Sequence, residues 1–405
     1  MKSFVIYVAL SLAIATANGR VKYSREEDDL QEIVQAGNEL GFKIIKTLSQ
    51  EQGNTFFSPI SISMLMGLVY SGSKNATATE IQRALNYPPE VAERFKILLD
   101  IIQISKEKPV KTFQPYQLEM ANAMLVDKSF NILSSYKEQS RTYFDAAVES
   151  VSFSLHPEAA VESVNGWVAW KTRNKIPKLL DKPLEPLTKL FLMNVVYFKG
   201  TWKLKFDQRL TTPDTFYNDG RIPKTVAMMR QKRKLRYGFN SKIQGEALEL
   251  PYSGDRIYML LLLPEKRDGL ADMEKLLSEE VITNISSNLR SLPIQVTLPR
   301  FSYTAEYNLI PILKNLGIQT LFNASSVDLG GISSTESLYV SKVLHKCAIQ
   351  VDEEGGEATV VTGVSAGVRT GGPLVPLFTA DHPFLFFIRD RFLNLTLFIG
   401  RVTHL

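Results

Sequence analysis

The chain has 405 residues, 44% of them hydrophobic and 22% charged, with a formal net charge of +5. That balance excludes wholesale disorder and a collagen-like repeat, and so mild a basic excess supports contact with a polyanion only weakly. The length exceeds that at which a single core usually stops growing, which favours several domains, yet no Pro/Gly/Ser linker, internal repeat or low-complexity tract divides the sequence.

At the amino end Lys2 precedes an apolar run over 4–14, and small residues follow to Gly19. This is the pattern of a secretory signal cut after Ala17 or Gly19, so residues 1–19 read as a signal and 20–405 as one secreted, extracellular domain. No later segment is apolar for long enough to span a bilayer, and no membrane partner is expected. Ser24-Arg25-Glu26-Glu27 reads as a capping box, and Leu30, Ile33, Val34, Leu40, Ile44, Ile45 and Leu48 predict a helix running to Gly53. Further helices are expected over 62–70, 79–85, 92–104 and 160–176. From Phe191 the texture turns to β-branched and aromatic runs, at 191–198, 247–252 and 257–263, with Ser253-Gly254-Asp255 as a turn. Helices early and strands late favour an α+β class with largely antiparallel sheets over a doubly wound parallel sheet. Cys347 is the single cysteine, so no internal disulfide forms, and it reads as a buried strand residue rather than a reactive thiol.

Enzyme chemistry has little to stand on. His156, His345, His382 and His404 lie at no metal-ligand spacing, and there is no nucleophile elbow, phosphate loop or dinucleotide fingerprint. The expectation is therefore no enzyme, no metal and no cofactor. What stands out is the long run of small residues from Glu353 to about position 378. Gly356, Ala358, Val360, Thr362, Val364 and Ala366 alternate on a face without charge, so the segment can enter a sheet as a strand. Arg369 is the only Lys or Arg between Glu354 and Arg389. An arginine so placed is either a target for a protease with an acidic specificity pocket or an incidental surface residue, and the pattern alone leaves both open.

Motifs along nearly the whole chain resemble those of the serpin family. Asn54-Thr55-Phe56-Phe57-Ser58-Pro59-Ile60-Ser61 is similar to its early signature and Asn194-Val195-Val196-Tyr197-Phe198-Lys199-Gly200-Thr201-Trp202 to its central one. Leu250-Pro251-Tyr252 with Gly254-Asp255, then Asp381-His382-Pro383-Phe384-Leu385-Phe386 and Phe398-Ile399-Gly400-Arg401-Val402, resemble its later strands. Glu353, Glu354, Gly355, Gly356, Glu357, Ala358, Thr359, Val360, Val361 and Thr362 resemble the hinge of its reactive-centre loop, with Gly356 where threonine or serine is usual. The resemblance implies one domain of three β-sheets with eight or nine helices and an exposed reactive-centre loop over about 353–378. It puts the scissile bond sixteen positions past Glu353, at Arg369-Thr370, where the lone arginine stands. It further implies suicide inhibition by a monomer with no nucleic-acid partner, and with arginine as bait the targets are trypsin-like serine proteases, a choice that leaves clotting, immune-cascade and digestive enzymes all open. Ser58, Ser61, Asn194 and His345 would form a hydrogen-bonded cluster beneath the strands that part. Trp202 would mark where insertion starts, and Glu353 would pair with Arg300. The alternative is a non-inhibitory member acting as carrier or chaperone. Arg230, Lys232, Arg233, Lys234 and Arg236 form a basic run that reads as a contact for a heparin-like polyanion or glycosaminoglycan, for an acidic protease, or as a solvated strand end. Sequons at Asn75, Asn284, Asn323 and Asn394 fit a secreted glycoprotein.

Overall fold

In the computed structural model, which describes residues 25–49, 53–107, 116–334, 338–354 and 375–405, helices crowd the amino-terminal part around one long amphipathic element. This is α1 (Arg25–Leu48), which buries Leu30, Ile33, Val34, Leu40, Ile44, Ile45 and Leu48, the stripe its spacing predicts. It ends at Leu48, short of Gly53, whose left-handed φ of +100° suits glycine in the turn beyond. Helices α2 (Pro59–Ser71), α3 (Asn75–Leu85) and α4 (Val91–Glu107) follow. Every residue of α2 from Pro59 to Val69 is buried, which explains a sequence that is apolar on all sides. Proline at its first turn and Ser58 at its N-cap, accepting from the Ser61 amide at 3.4 Å, fix where it begins.

Two expectations are corrected. The helix read over 160–176 is α6 (Pro157–Lys171), after which Arg173 and Asn174 turn left-handed and the Thr172 hydroxyl bonds the Ile176 backbone. The early-helix, late-strand order also fails in detail. β2 (Tyr116–Asp127) and β3 (Ala147–Val151) flank α5 (Ser134–Phe144) in the first half, and α7 (Leu270–Leu276), α8 (Glu279–Asn288) and α9 (Ile310–Asn315) lie in the second. β2 escapes periodicity because Ala121 to Val126 are all buried, leaving no polar face to alternate with.

A five-stranded sheet runs β10 (Phe301–Asn308), β11 (Val340–Val351), β4 (Leu190–Gly200), β2, β3. A second, hydrogen-bonded set of nine strands contains β1 (Thr55–Phe57), β5 (Thr212–Asn218), β6 (Ile222–Asn240), β7 (Gly245–Pro251), β8 (Ile257–Pro264), β9 (Arg290–Pro299), β12 (Leu377–Thr379), β13 (Phe384–Asp390) and β14 (Leu395–Val402). Its 19-residue strand β6 serves two neighbourhoods. One end pairs with β5, the other with β7, and the middle with β9, which carries β12 on its far side. β6 thus joins two sheets edge to edge, and with the five-stranded sheet the fold has three. The main core fills the space between the sheets and α1 to α5. A second apolar cluster, including Val164, Val168, Phe191, Met193, Val195, Leu344 and Ala348, holds α6 across the other face of the five-stranded sheet. Among the described residues no helix is long and apolar enough to cross a membrane.

Candidate functional site

The centre of the five-stranded sheet is unusual. β4 and β11 are directly paired and parallel from Leu190 and Val340 to Phe198 and Ile349, whereas β2 with β4 and β10 with β11 are antiparallel. Where His345 of β11 stands opposite Asn194 of β4, a polar knot spans the two strands. His345 Nε2 accepts from the Ser58 amide at 3.2 Å, so the ring proton resides on Nδ1, which donates to Asn194 Oδ1. The Asn194 amide then donates to Ser61 Oγ and to Asn122 Oδ1 on β2. Burial without a countercharge pushes the His345 pKa down to about 3, so the imidazole is neutral. Sequence reasoning singled out Ser58, Ser61, Asn194 and His345 and missed Asn122, the fifth member. Above His345 on the same face, Cys347 is wholly buried, its Sγ 2.7 Å from the Phe56 carbonyl oxygen, and burial raises its pKa well above that of a free thiol.

At the top of the same two strands the chain leaves the sheet. Trp202 is buried and stacks on Tyr252 with centroids 4.4 Å apart. Its indole Nε1 donates to the Asp352 carbonyl at 2.8 Å, and its backbone amide to the Glu354 carbonyl at 3.3 Å. The Phe206 amide donates to the Glu353 carbonyl at 3.0 Å, and Lys205 pairs with Glu354 at 2.7 Å. The Glu353 side chain, 5% exposed, faces Arg300 at 3.7 Å and accepts from the Thr211 hydroxyl at 2.8 Å. Thr211, Phe206 and Lys205 carry no sequence signal that sets them apart, because only the fold brings the segment after β4 against residues 352–354.

Gly355, Gly356, Glu357, Ala358, Thr359, Val360, Val361, Thr362, Arg369 and Thr370 lie outside the described residues, as does the signal read over 1–19. The five cations of the basic run all sit on β6 but differ in their company. Arg230 is held by Asp214 and Thr212, and Arg236 by Glu249 at 3.2 Å and the Ser286 carbonyl. Lys232, Arg233 and Lys234 between them are exposed. Asn75, Asn284, Asn323 and Asn394 are all exposed, although Thr77 and Thr396, the hydroxyl residues of two of their sequons, are buried. Asn394 precedes β14, whose residues are buried throughout. Among the described residues no cluster of His, Cys, Asp or Glu could hold a metal ion.

A sequence profile of the family described as Serpin (serine protease inhibitor) matches residues 35–405. Intracellular coagulation inhibitor 1 of Tachypleus tridentatus is 39% identical over 382 residues, covering 92% of this chain and 89% of that protein. Leukocyte elastase inhibitor of Homo sapiens is 36% identical, covering 92% and 99%. Among solved structures, mouse protein-Z dependent protease inhibitor superposes with a TM-score of 0.82 at 28% identity, over 93% of this chain and 99% of the other.

Proposed function

The chain belongs to the serpin family, and on that premise we propose that it is a secreted suicide inhibitor of trypsin-like serine proteases, cleaved between Arg369 and Thr370. The observation that carries this reading is the direct parallel pairing of β4 with β11. The residues after Glu354 follow straight on from β11, so a strand that folded back from them would run antiparallel to β11 and to β4 alike. Entering between the two, it would exchange one parallel ladder, the slightly weaker kind, for two antiparallel ones. The uncharged alternate positions from Gly356 to Ala366 suit a strand buried on one face, and glycine at 356 costs about 0.5 to 1 kcal/mol of extra backbone entropy there.

The chemistry belongs to the protease. Its serine attacks the Arg369 carbonyl carbon, the bond to the Thr370 nitrogen breaks, and that nitrogen takes a proton from the protease's histidine to leave as a new amino terminus. Arg369 remains joined to the serine as an ester. The arginine selects the protease, because its guanidinium pairs bidentately with a carboxylate at the base of the specificity pocket. Insertion of the freed strand then carries the protease away from its docking place, and trapping succeeds when insertion outruns hydrolysis of the ester. On this reading Ser58, Ser61, Asn122, Asn194 and His345 form the latch that must release, and Trp202, Glu353 and Arg300 hold the point where the strands first part.

Mixing the protein with trypsin on a denaturing gel tests this. The expected result is a covalent band near the summed mass, absent for Arg369→Ala with the fold intact. Cleavage at Arg369 without that band would instead support a carrier, and an intact chain would remove Arg369 as the bait.

A further inference from the structure

We propose that Lys232 and Lys234 on β6 form a second contact for the attacking protease, so that the preferred target is a trypsin-like protease with an acidic surface beside its cleft. This rests on the inhibitory reading and adds to it where the protease body lies. The register supplies the geometry. Lys232 pairs with Gln295 of β9, and Gln295 pairs with Leu377 of β12. All three are exposed, so one open face carries the cation and the strand that receives the chain after the scissile bond. Two strand spacings, about 10 Å, separate Lys232 from Leu377.

The covalent reach on this side is short. Val375 lies six positions beyond Arg369, and a fully extended chain of that length spans about 22 Å at most. A protease domain of about 230 residues has a radius of gyration near 17 Å, so a body seated on Arg369 extends over β12, β9 and β6. Arg369 lies fifteen positions beyond Glu354 on the other side, which leaves that approach far less constrained.

Charge completes the argument. Arg230 and Arg236 are committed to Asp214 and Glu249, whereas among the described residues no carboxylate pairs with Lys232, Arg233 or Lys234. Lys232 and Lys234, paired with exposed Gln295 and Pro293, share the open face about 7 Å apart while Arg233 takes the other face opposite buried Ile294, and so short a pair suits a cluster of carboxylates on a protein loop better than a long linear polyanion. The patch also lies within about one Debye length of the docking strand at 0.1 M salt, so it can both steer encounter and hold the complex.

Anionic and cationic trypsin share cleavage after arginine and differ in surface charge, so their second-order inhibition rates test the idea. At low salt the wild type is expected to inhibit the anionic form about tenfold faster. In 0.5 M NaCl, or in the double variant Lys232→Glu, Lys234→Glu, that preference should vanish with the yield of covalent complex unchanged. Equal rates for the two trypsins, or a double variant within twofold of wild type on the anionic form, overturn the second contact while covalent bands still appear. A preference that emerges only on adding heparin overturns it in favour of polyanion binding. Loss of covalent bands from the wild type with both trypsins would instead show that the inhibitory reading itself has failed.

Discussion

His345 owes its behaviour to company rather than to chemistry. A backbone amide donates to one ring nitrogen and a carboxamide oxygen accepts from the other, so the neutral ring is fully satisfied and the charged ring would have neither solvent nor countercharge. The consequence for stability has a definite sign. An unfolded imidazole takes its proton near pH 6.5, the buried one only near 3, so the stabilisation is complete above pH 6.5 and is lost as pH falls toward 3. The slope is about 1.4 kcal/mol per pH unit in that window. Urea unfolding of the native form should therefore show about 2 kcal/mol less stability at pH 5 than at pH 6.5 from this group alone, and His345→Gln should remove that part of the dependence. At this scale the sequence was partly legible. The motifs around Ser58, Asn194 and His345 drew attention to those residues, but Asn122 lies in a strand with no alternating pattern, and Thr211 meets Glu353 across 142 positions of chain.

Among the elements, long amphipathic stretches such as α1 were readable because one face is wet. β2 was not: with α6 on one side and the main core on the other it has no alternation, and unlike the equally covered β4 and β8 its sequence around Met120 to Met124 lacks the β-branched and aromatic residues that mark a strand. The end of α6 was misread because Ile176 continues the apolar content although the backbone has already turned. On the inhibitory reading the pair that must part is β4 with β11, held from above by the contacts of Trp202 and at mid-height by the His345 knot. Trp202→Phe keeps the stacking on Tyr252 but removes the indole donor to the Asp352 carbonyl. Losing one such hydrogen bond costs about 1 kcal/mol, and if it acts against parting of the strands, spontaneous loss of inhibitory activity on warming should proceed about fivefold faster. An unchanged rate would mean that the top of the strands does not control their separation.

For the whole molecule, length alone pointed to several domains but the absence of linkers led to the reading of one, and the continuity of β6 through two of the three sheets explains why the sequence carries no boundary there. The same architecture predicts how the clipped protein behaves. A strand added between β4 and β11 gains on the order of ten net backbone hydrogen bonds, each worth about 1 kcal/mol. Spread over a chain of this size, that corresponds to a rise in melting temperature of more than about 10 °C. Calorimetry before and after cutting at Arg369 measures it, and coincident transitions would contradict the proposed insertion.

The solitary cysteine gives the molecule a built-in reporter of this movement. Its sulfur lies on the inner surface of β11, one alternation above His345, sealed against the Phe56 carbonyl. A thiol reagent has no route to it while β11 keeps that seat, so the pace of alkylation under native conditions counts how often the interior layer loosens, with no engineered label to disturb it. Agents that ease the sheet open should quicken this chemistry in step with their effect on inactivation, and those that brace it should slow both.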